Sequence, residues 1–252
     1  EKASKEREEA RLLCEILDMD VEAAKKKAAF AAVDEFVQSG MKIGVGSGST
    51  VVYAVERLKQ KKDQGELKDL VCVPTSFQST ILLMQAGLTT GEPTQYPELD
   101  VAIDGADEVD MKMNCIKGGG ACQLQEKIVA ACAKKFVVIA DYRKEAKTLG
   151  EKWKKGVPIE VVPMAYKLLC LRCEKLGGKP VLRMAKNKAG PVVTDNGNFV
   201  IDCDFGLIED PSSLNTKLQL IPGVVEVGLF CGMAVKAFFG QKDGSVTTRV
   251  AS

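Results

Sequence analysis

The sequence predicts an α/β protein with a Rossmann-like parallel sheet, helices on both faces of that sheet, and a smaller ferredoxin-like α+β domain. From residue 21 to about residue 151, short apolar runs alternate with amphipathic segments, which is typical of a parallel sheet covered by helices. From about 152 to 228 the order becomes strand, helix, strand, strand, helix, strand, as in a ferredoxin-like domain. We expect residues from about 229 to 252 to complete the first domain, and residues 1–20 to form an N-terminal extension.

The individual elements are predicted from hydrophobic spacing and from the polar turns between them. In the first domain the predicted helices are Val21–Gln38, with Asp20 as the N-cap, Val51–Lys62, Ser79–Ala86 and Gln123–Lys135. The predicted strands are Met41–Val45, Leu70–Val73, Leu99–Ile103 and Phe136–Ala140. In the second domain the strands are Ile159–Pro163, Lys179–Met184, Asn198–Phe205 and Val224–Phe230, and the helices are Ala165–Leu176 and Pro211–Gln219.

Composition excludes several classes of function. A net charge of +1 argues against a surface for nucleic acid or anionic membrane, and no apolar stretch approaches the roughly 20 residues of a membrane span. The chain has nine cysteines, most of them in apolar runs, and no histidine. Buried free thiols fit a reducing compartment, so we expect a cytoplasmic protein without a mixed zinc site. Any acid–base chemistry must depend on carboxylates, lysines, thiols or tyrosines.

The segment ahead of the first domain differs in character from the rest. Residues 1–20 are rich in Glu, Lys and Arg around a small apolar patch at Leu12–Leu17. Transit peptides are poor in acidic residues, so we expect an added amphipathic helix or a frayed extension.

Small, polar or charged residues follow four of the predicted strands. They are Ser47–Thr50 after the first strand, Thr75 and Ser76 after the second, Asp104 and Asp107 after the third, and Asp141 and Lys144 after the fourth. Ligands of open parallel sheets bind beyond the carboxyl ends of the strands. The four coincidences together predict a single shared crevice.

The turn after the first strand, Gly46-Ser47-Gly48-Ser49-Thr50, carries glycines and hydroxyl groups ahead of a helix. Its N–H groups and the helix N-terminus favour an anion, above all phosphate, although a purely structural turn is an equal alternative. The spacing matches no nucleotide fingerprint. In the preceding helix Lys26 aligns with Phe30 and Val33 at the edge of the buried stripe, where it either reaches an anion or extends into solvent.

The densest group of charged residues lies between Asp104 and Glu126. Asp104 and Asp107 flank Gly105-Ala106, a small pair that lets both carboxylates face the crevice or lets one of them cap the turn. Paired carboxylates in a partly dry site raise one pKa, which suits acid–base work. We expect Glu108 and Asp110 to face solvent.

A lysine and three glycines follow this turn. Lys117 precedes Gly118-Gly119-Gly120, which predict close backbone approach to a ligand or a nest of N–H groups. Such a lysine can stabilise negative charge that develops on an oxygen. Glu126 lies on a mostly apolar face of the next helix, where it is either ion-paired or a base with a raised pKa.

The sequence resembles the A-type family of ribose-5-phosphate isomerases in the segments GVGSGST, AIDGADEVD, IKGGGACQLQEKIVA, VVIADYRK and PVVTDNGNF. The resemblance extends from about Val21 to the C-terminus. The chain departs from the family pattern at Leu124 and Gln125, where a threonine or serine and an arginine are frequent, and at Ser47, where a threonine is frequent.

This resemblance implies an isomerase of the pentose phosphate pathway that interconverts ribose 5-phosphate and ribulose 5-phosphate without a metal or organic cofactor. It implies that Glu126 is a general base acting through an enediolate and that Asp104 opens the sugar ring. Lys117, assisted by Asp107, would stabilise the enediolate. The implied substrate-binding residues are Ser47, Gly48, Ser49, Thr50, Gly105, Ala106, Gly118, Gly119, Gly120, Lys144 and, near the phosphate, Lys26. The family's habit of assembly implies a homodimer or homotetramer.

Three other functions compete with this one. A sugar-phosphate deaminase on a related fold uses a histidine in ring opening, and this chain has none. A coenzyme A transferase uses a glutamate as a nucleophile, and a trapped covalent thioester would identify it. A non-catalytic sugar-phosphate sensor keeps the phosphate turn but has no use for Glu126.

Overall fold

The computed structural model describes residues 20–251. The predicted extension therefore lies outside the described residues except for Asp20, which is helical rather than a cap. In the described part of the chain the helices are α1 (20–36), α2 (Val51–Asp63), α3 (Phe77–Gln85), α4 (Gln123–Cys132), α5 (Tyr166–Lys175) and α6 (Pro211–Gln219). The strands are β1 (Lys42–Val45), β2 (Val71–Pro74), β3 (Val101–Gly105), β4 (Glu108–Val109), β5 (Cys115–Ile116), β6 (Phe136–Asp141), β7 (Val157–Val161), β8 (Lys179–Leu182), β9 (Phe199–Asp204), β10 (Val224–Val227), β11 (Leu229–Phe230), β12 (Ala234–Gly240) and β13 (Val246–Val250).

The large sheet has the strand order β13-β12-β6-β3-β1-β2. Neighbours are parallel from β2 through β12, and β13 pairs antiparallel with β12. Successive residues of β6 face opposite sides, because Val137 and Ile139 pack against α1, α2 and α3 whereas Val138 and Ala140 belong to the cluster that includes α4. Helices therefore cover both faces, and the predicted fold class is confirmed.

The smaller sheet is antiparallel, with the order β10-β7-β9-β8. Helix α5 connects β7 to β8, and α6 connects β9 to β10, which is the ferredoxin-like arrangement. Its core contains Ile159, Leu169, Ile201 and Leu218, all fully buried. A domain boundary near residue 151 stays a prediction.

A third sheet, β11-β5-β4, is built of two-residue strands and is not predicted from the sequence, because such strands are too short to show alternation. The final segment supplies β12 and β13 to the edge of the large sheet. Within residues 20–251, no helix combines the length and the apolar character needed to cross a membrane.

The expectation that Glu108 and Asp110 face solvent is wrong, since 0% and 5% of these residues are exposed. The Glu108 carboxylate accepts hydrogen bonds from the backbone N–H groups of Gly150, at 2.5 Å, and Lys152. Asp110 accepts from the Asn114 N–H at 2.8 Å and from the Asn114 side-chain amide at 2.9 Å. Hydrogen bonds of this kind offset the cost of burying a carboxylate.

Candidate active site

The carboxyl ends of β1, β3 and β6 lie side by side, because Val45 is opposite Ile103 and Ile103 is opposite Val137. A cavity of about 200 Å³ lies beyond these ends. The shared crevice that the strand ends predict is therefore present. Its walls are formed by Lys25, Ser47, Gly48, Ser49, Thr50, Gln78, Gly105, Ala106, Asp107, Lys117, Gly118, Gly119, Gly120, Cys122, Glu126, Asp141, Arg143 and Lys144.

The turn after β1 is fixed by hydrogen bonds to the end of the neighbouring strand. The Ser47 hydroxyl lies 2.8 Å from the Thr75 hydroxyl and donates to the Ser76 hydroxyl at 2.6 Å. The Gly48 N–H donates to Gln78 Oε1 at 2.8 Å. Thr75 and Ser76 thus support the turn from behind instead of lining the cavity, and the N-terminus of α2 opens onto the cavity beside the turn.

Asp104, in β3, is 3% exposed and contacts Gly105 and Lys117, which line the cavity. Its Oδ1 accepts hydrogen bonds from the N–H groups of Ser47 at 3.0 Å and Gly105 at 2.7 Å. Its Oδ2 lies 2.8 Å from Lys117 Nζ. Only glycine fits at position 46, because an ideal Cβ on Gly46 would lie 1.9 Å from Asp104 Oδ1.

Lys117 lies at the centre of the charged cluster, with 2% of its side chain exposed. Its ammonium is 2.8 Å from Asp104 and 3.2 Å from Glu126. The rings of Phe136 and Phe230 lie 6.0 Å and 5.2 Å from it and exclude water from that side. Burial lowers the pKa of Lys117, but attraction to the carboxylates of Asp104 and Glu126 outweighs burial and raises the pKa overall. Two carboxylates therefore share one permanent cation.

Glu126 lies in the first turn of α4 and is 5% exposed. Burial raises its pKa to about 8, and the negative charge of Asp104 adds to this effect while Lys117 opposes it. The cavity wall includes Glu126, so its carboxylate can meet a bound molecule. A carboxylate with a raised pKa is a stronger base than a glutamate in water.

Asp107 lies opposite the glycine loop that follows Lys117. Its Oδ2 accepts a hydrogen bond from the Gly119 N–H at 2.7 Å. Burial raises the pKa of Asp107, whereas the Gly119 N–H and then the charge of Lys117 lower it. Gly118 has a φ of +101°, and an ideal Cβ on it would lie 2.7 Å from Gln123 Oε1, so the loop needs glycine there.

Lys25 rather than Lys26 lines the cavity. Lys25 is 9% exposed, and its ammonium donates to Glu22 at 2.6 Å. The Lys26 ammonium instead donates to Glu56 on α2 at 2.7 Å and lies 5.2 Å from the centre of the Phe30 ring. We therefore replace Lys26 by Lys25 among the residues proposed to bind an anion.

The cavity contains residues that sequence reasoning missed. Gln78, Cys122 and Arg143 line it together with Lys25. Arg143 donates from Nε to Asp141 at 2.7 Å, and Lys144 lies 5.3 Å from the Trp153 ring. Gln78 and Arg143 could have been found by the strand-end argument, because each lies within four residues of a strand's end. Among residues 20–251, no set of three or more His, Cys, Asp or Glu side chains is arranged to hold a metal ion.

The chain matches known proteins over nearly all of its length. Residues 71–244 match the family model described as ribose 5-phosphate isomerase A (phosphoriboisomerase A). Ribose-5-phosphate isomerase of Homo sapiens is 54% identical over 229 residues, which are 90% of this chain and 73% of the relative. Ribose-5-phosphate isomerase of Dictyostelium discoideum is 56% identical over 230 residues, which are 90% of this chain and 97% of the relative.

Solved structures agree with these relatives. A D-ribose-5-phosphate isomerase in complex with phospho-erythronic acid superposes with a TM-score of 0.88 at 42% identity, over 91% of this chain and 99% of that one. Ribose 5-phosphate isomerase A from Methanocaldococcus jannaschii superposes with a TM-score of 0.84 at 41% identity, over 90% of this chain and 97% of that one. This chain therefore belongs to the ribose 5-phosphate isomerase A family.

Proposed function

We propose that the chain is an aldose–ketose isomerase that interconverts D-ribose 5-phosphate and D-ribulose 5-phosphate in the non-oxidative branch of the pentose phosphate pathway. The relatives named ribose-5-phosphate isomerase support the reaction. The observation that carries the mechanism is the buried group of Asp104, Lys117 and Glu126, with Lys117 within 3.2 Å of both carboxylates. This group places a base beside a fixed cation, which is what proton abstraction next to a carbonyl requires.

The phosphate of the substrate is proposed to bind at the turn after β1. Ser47–Thr50 and the N-terminus of α2 present backbone N–H groups and hydroxyls, which are typical anion ligands. Lys25, Arg143 and Lys144 add positive charge to the cavity wall. A related enzyme has been solved with phospho-erythronic acid, a ligand that combines a phosphate with a carboxylate, which supports a site for a phosphorylated sugar acid or sugar in this family.

In the open-chain sugar, the Glu126 carboxylate is proposed to remove the proton from C2 of the aldose. The electrons of the C–H bond form a C1–C2 double bond, and the carbonyl oxygen becomes the negatively charged enediolate oxygen. Lys117 stabilises this charge at no cost of reorganisation, because its ammonium is already fixed. A proton moves from the C2 hydroxyl to the C1 oxygen, and protonated Glu126 then delivers its proton to C1, which gives the ketose and restores the carboxylate.

The two aspartates are proposed to handle the oxygen-bound protons. Asp104 opens the sugar ring and transfers hydroxyl protons, and it is in ion contact with Lys117 at 2.8 Å. Asp107 lines the cavity and is fixed by the Gly119 N–H, so it can assist at the second oxygen. Gly105, Ala106 and Gly118–Gly120 present the backbone that is proposed to surround the sugar.

The cytoplasmic location is a proposal that rests on the cysteines in apolar runs, which fit a reducing compartment. The absence of a cofactor and the assembly into a homodimer or homotetramer are proposals that rest on the family resemblance. A net charge of +1 on the whole chain gives no support for nucleic acid as a partner. The proposed partner is the pentose 5-phosphate substrate itself.

The first prediction concerns metal removal. Isomerisation of ribose 5-phosphate, followed in a coupled assay, should proceed at an unchanged rate after dialysis against a chelator, because Lys117 supplies the positive charge that a metal would otherwise provide. The dialysed enzyme is assayed without added metal, and the same sample with added Mg²⁺ serves as the control. Loss of activity that metal restores would contradict the proposal.

The second prediction concerns pH. Glu126 accepts a proton only when ionised, so kcat/KM should fall as the pH drops below its pKa of about 8. Asp104→Asn removes a negative charge that raises this pKa, so the acid limb of the profile should move to lower pH while kcat itself decreases. The control is Asp100→Asn, which removes a carboxylate paired with Lys134 near the surface. It should leave the acid limb of the profile in place. An acid limb that stays fixed in Asp104→Asn would refute the coupling.

A further inference from the structure

The glycine loop of the cavity is held from outside by an arginine of the smaller sheet. Arg183 Nη1 donates to the carbonyl oxygens of Gly118, at 3.0 Å, and Gly119, at 3.2 Å. Gly118 and Gly119 line the cavity, whereas Arg183 does not. It follows the last residue of β8, so this contact joins the smaller sheet to the cavity loop.

Arg183 is itself firmly fixed. Its Nε and Nη2 donate to the two oxygens of Asp202, at 2.8 Å and 2.5 Å, which is the bidentate geometry of a strong arginine–carboxylate pair. Its backbone N–H donates to the Val200 carbonyl and its own carbonyl accepts from the Val192 N–H, each at 2.9 Å. Its side chain in this pair is only 16% exposed. Asp202, from β9, therefore orients the guanidinium toward the glycine carbonyls.

The direction of these carbonyls fixes the direction of the next N–H groups, because the C=O and N–H of a trans peptide point in opposite directions. The Gly118 carbonyl points at Arg183, and the Gly119 N–H accordingly points at Asp107, to which it donates at 2.7 Å. The Gly119 carbonyl also points at Arg183, so the Gly120 N–H points away from Arg183. Gly120 itself lines the cavity. Two successive N–H groups on one side form an anion-binding nest.

The charge of Arg183 also reaches the reacting groups. It is one of the cations that lower the pKa of Asp107, after the Gly119 N–H, Lys117 and Lys144. A guanidinium that donates hydrogen bonds to two carbonyl oxygens polarises both peptides and so strengthens their N–H groups as donors. The contact is thus suited to stabilising negative charge on a sugar oxygen without touching the sugar.

We propose that Arg183, oriented by Asp202, is a positioning residue that keeps the Gly119 and Gly120 N–H groups turned toward Asp107 and the substrate oxygens. The proposal rests on the isomerase function proposed above. It predicts that losing the guanidinium affects the transition state more than ground-state binding of the sugar phosphate, because the proposed phosphate site, Ser47–Thr50, lies on a different turn.

The test compares Arg183→Ala with Arg172→Ala, a matched loss of an exposed arginine from α5 of the same domain. In Arg183→Ala we expect kcat for ribose 5-phosphate to fall about 10- to 100-fold, as for a small misplacement of catalytic groups, while KM changes less than about threefold. Added guanidinium chloride should restore part of the lost kcat, and an equal concentration of sodium chloride should not. Arg172→Ala should match the wild type.

A kcat of Arg183→Ala that stays within about twofold of the wild type, or a loss confined to KM, would overturn the proposal. If this variant does not fold, Asp202→Asn decides instead, since it keeps the guanidinium but loses its bidentate orientation. We expect a fall of about 3- to 10-fold in kcat there, and unchanged kcat would equally overturn the proposal. A wild-type chain without isomerase activity would refute the proposed function, and with it the role of Arg183, so the two failures are distinguishable.

Discussion

Glu126→Gln should lower kcat for isomerisation by at least about a thousandfold while ribose 5-phosphate still binds. The amide has the shape of the carboxylate but cannot accept the C2 proton. The two aspartates of the site are already engaged, Asp104 by two backbone N–H groups and Lys117, and Asp107 by the Gly119 N–H. Binding should persist because the proposed phosphate site, Ser47–Thr50, lies on a different turn. The coupled assay measures kcat, and titration calorimetry measures binding.

Glu98→Gln is the matched control, since Glu98 is exposed and lies outside the cavity. It should leave both kcat and binding unchanged. A Glu126→Gln variant with near-normal turnover would show that Glu126 is not the base. The same experiment addresses the sensor alternative, because a wild-type chain that binds ribose 5-phosphate without converting it would favour a sensor.

Lys117→Met should reduce kcat by about 100- to 1,000-fold and also destabilise the fold. The reaction loses the cation that is proposed to stabilise the enediolate oxygen. The fold loses the cation that pairs with the buried Glu126 carboxylate, and removing one partner of a buried ion pair costs about 3–5 kcal/mol of unfolding free energy. Steady-state kinetics and urea unfolding measure the two effects separately.

Lys127→Met separates catalysis from stability. The Lys127 side chain is also mostly buried, and its ammonium lies 2.7 Å from Glu226 and 4.8 Å from the centre of the Phe230 ring. Unlike Lys117, it does not line the cavity. Its loss should lower the free energy of unfolding while kcat stays close to that of the wild type. Equal losses of kcat in the two variants would mean that Lys117 acts only through the fold.

Much of the site could be predicted because its residues follow strands directly. Parallel strands bring their carboxyl ends to one edge, so Ser47, Asp107 and Lys144 line the same cavity although they are far apart in sequence. The glycine loop was also visible, since three successive glycines fit no regular element. The burial of Glu126 against Lys117 could not be predicted, because spacing places a residue on a helix face but does not identify what covers that face.

Lys25 was missed for a definite physical reason. The buried side of α1 includes Val21, Ala24, Ala28 and Ala32, which are 0–5% exposed, and Lys25 extends from this side. Alanines contribute little to a hydrophobic pattern, so the prediction gave more weight to Phe30 and placed Lys26, instead of Lys25, beside the buried face. Phe30 is instead only half-buried.

The contacts made by Arg183 and Glu108 could not be predicted from the sequence either. Arg183 and Gly118 are 65 residues apart, and Glu108 meets the Gly150 N–H across 42 residues. Such pairs form only when distant parts of the chain pack together, and neither local propensity nor hydrophobic period encodes them.

Exchange with solvent deuterium tests the central claim, proton transfer through an enediolate, most directly. Active enzyme and ribose 5-phosphate are brought to equilibrium in D₂O, and NMR spectroscopy then detects deuterium at C1 of ribulose 5-phosphate and at C2 of ribose 5-phosphate. Because Glu126 holds the transferred proton on an exchangeable carboxyl group, we expect deuterium at both carbons after many turnovers, and none with Glu126→Gln. Full conversion by the wild type without deuterium at either carbon would contradict the account.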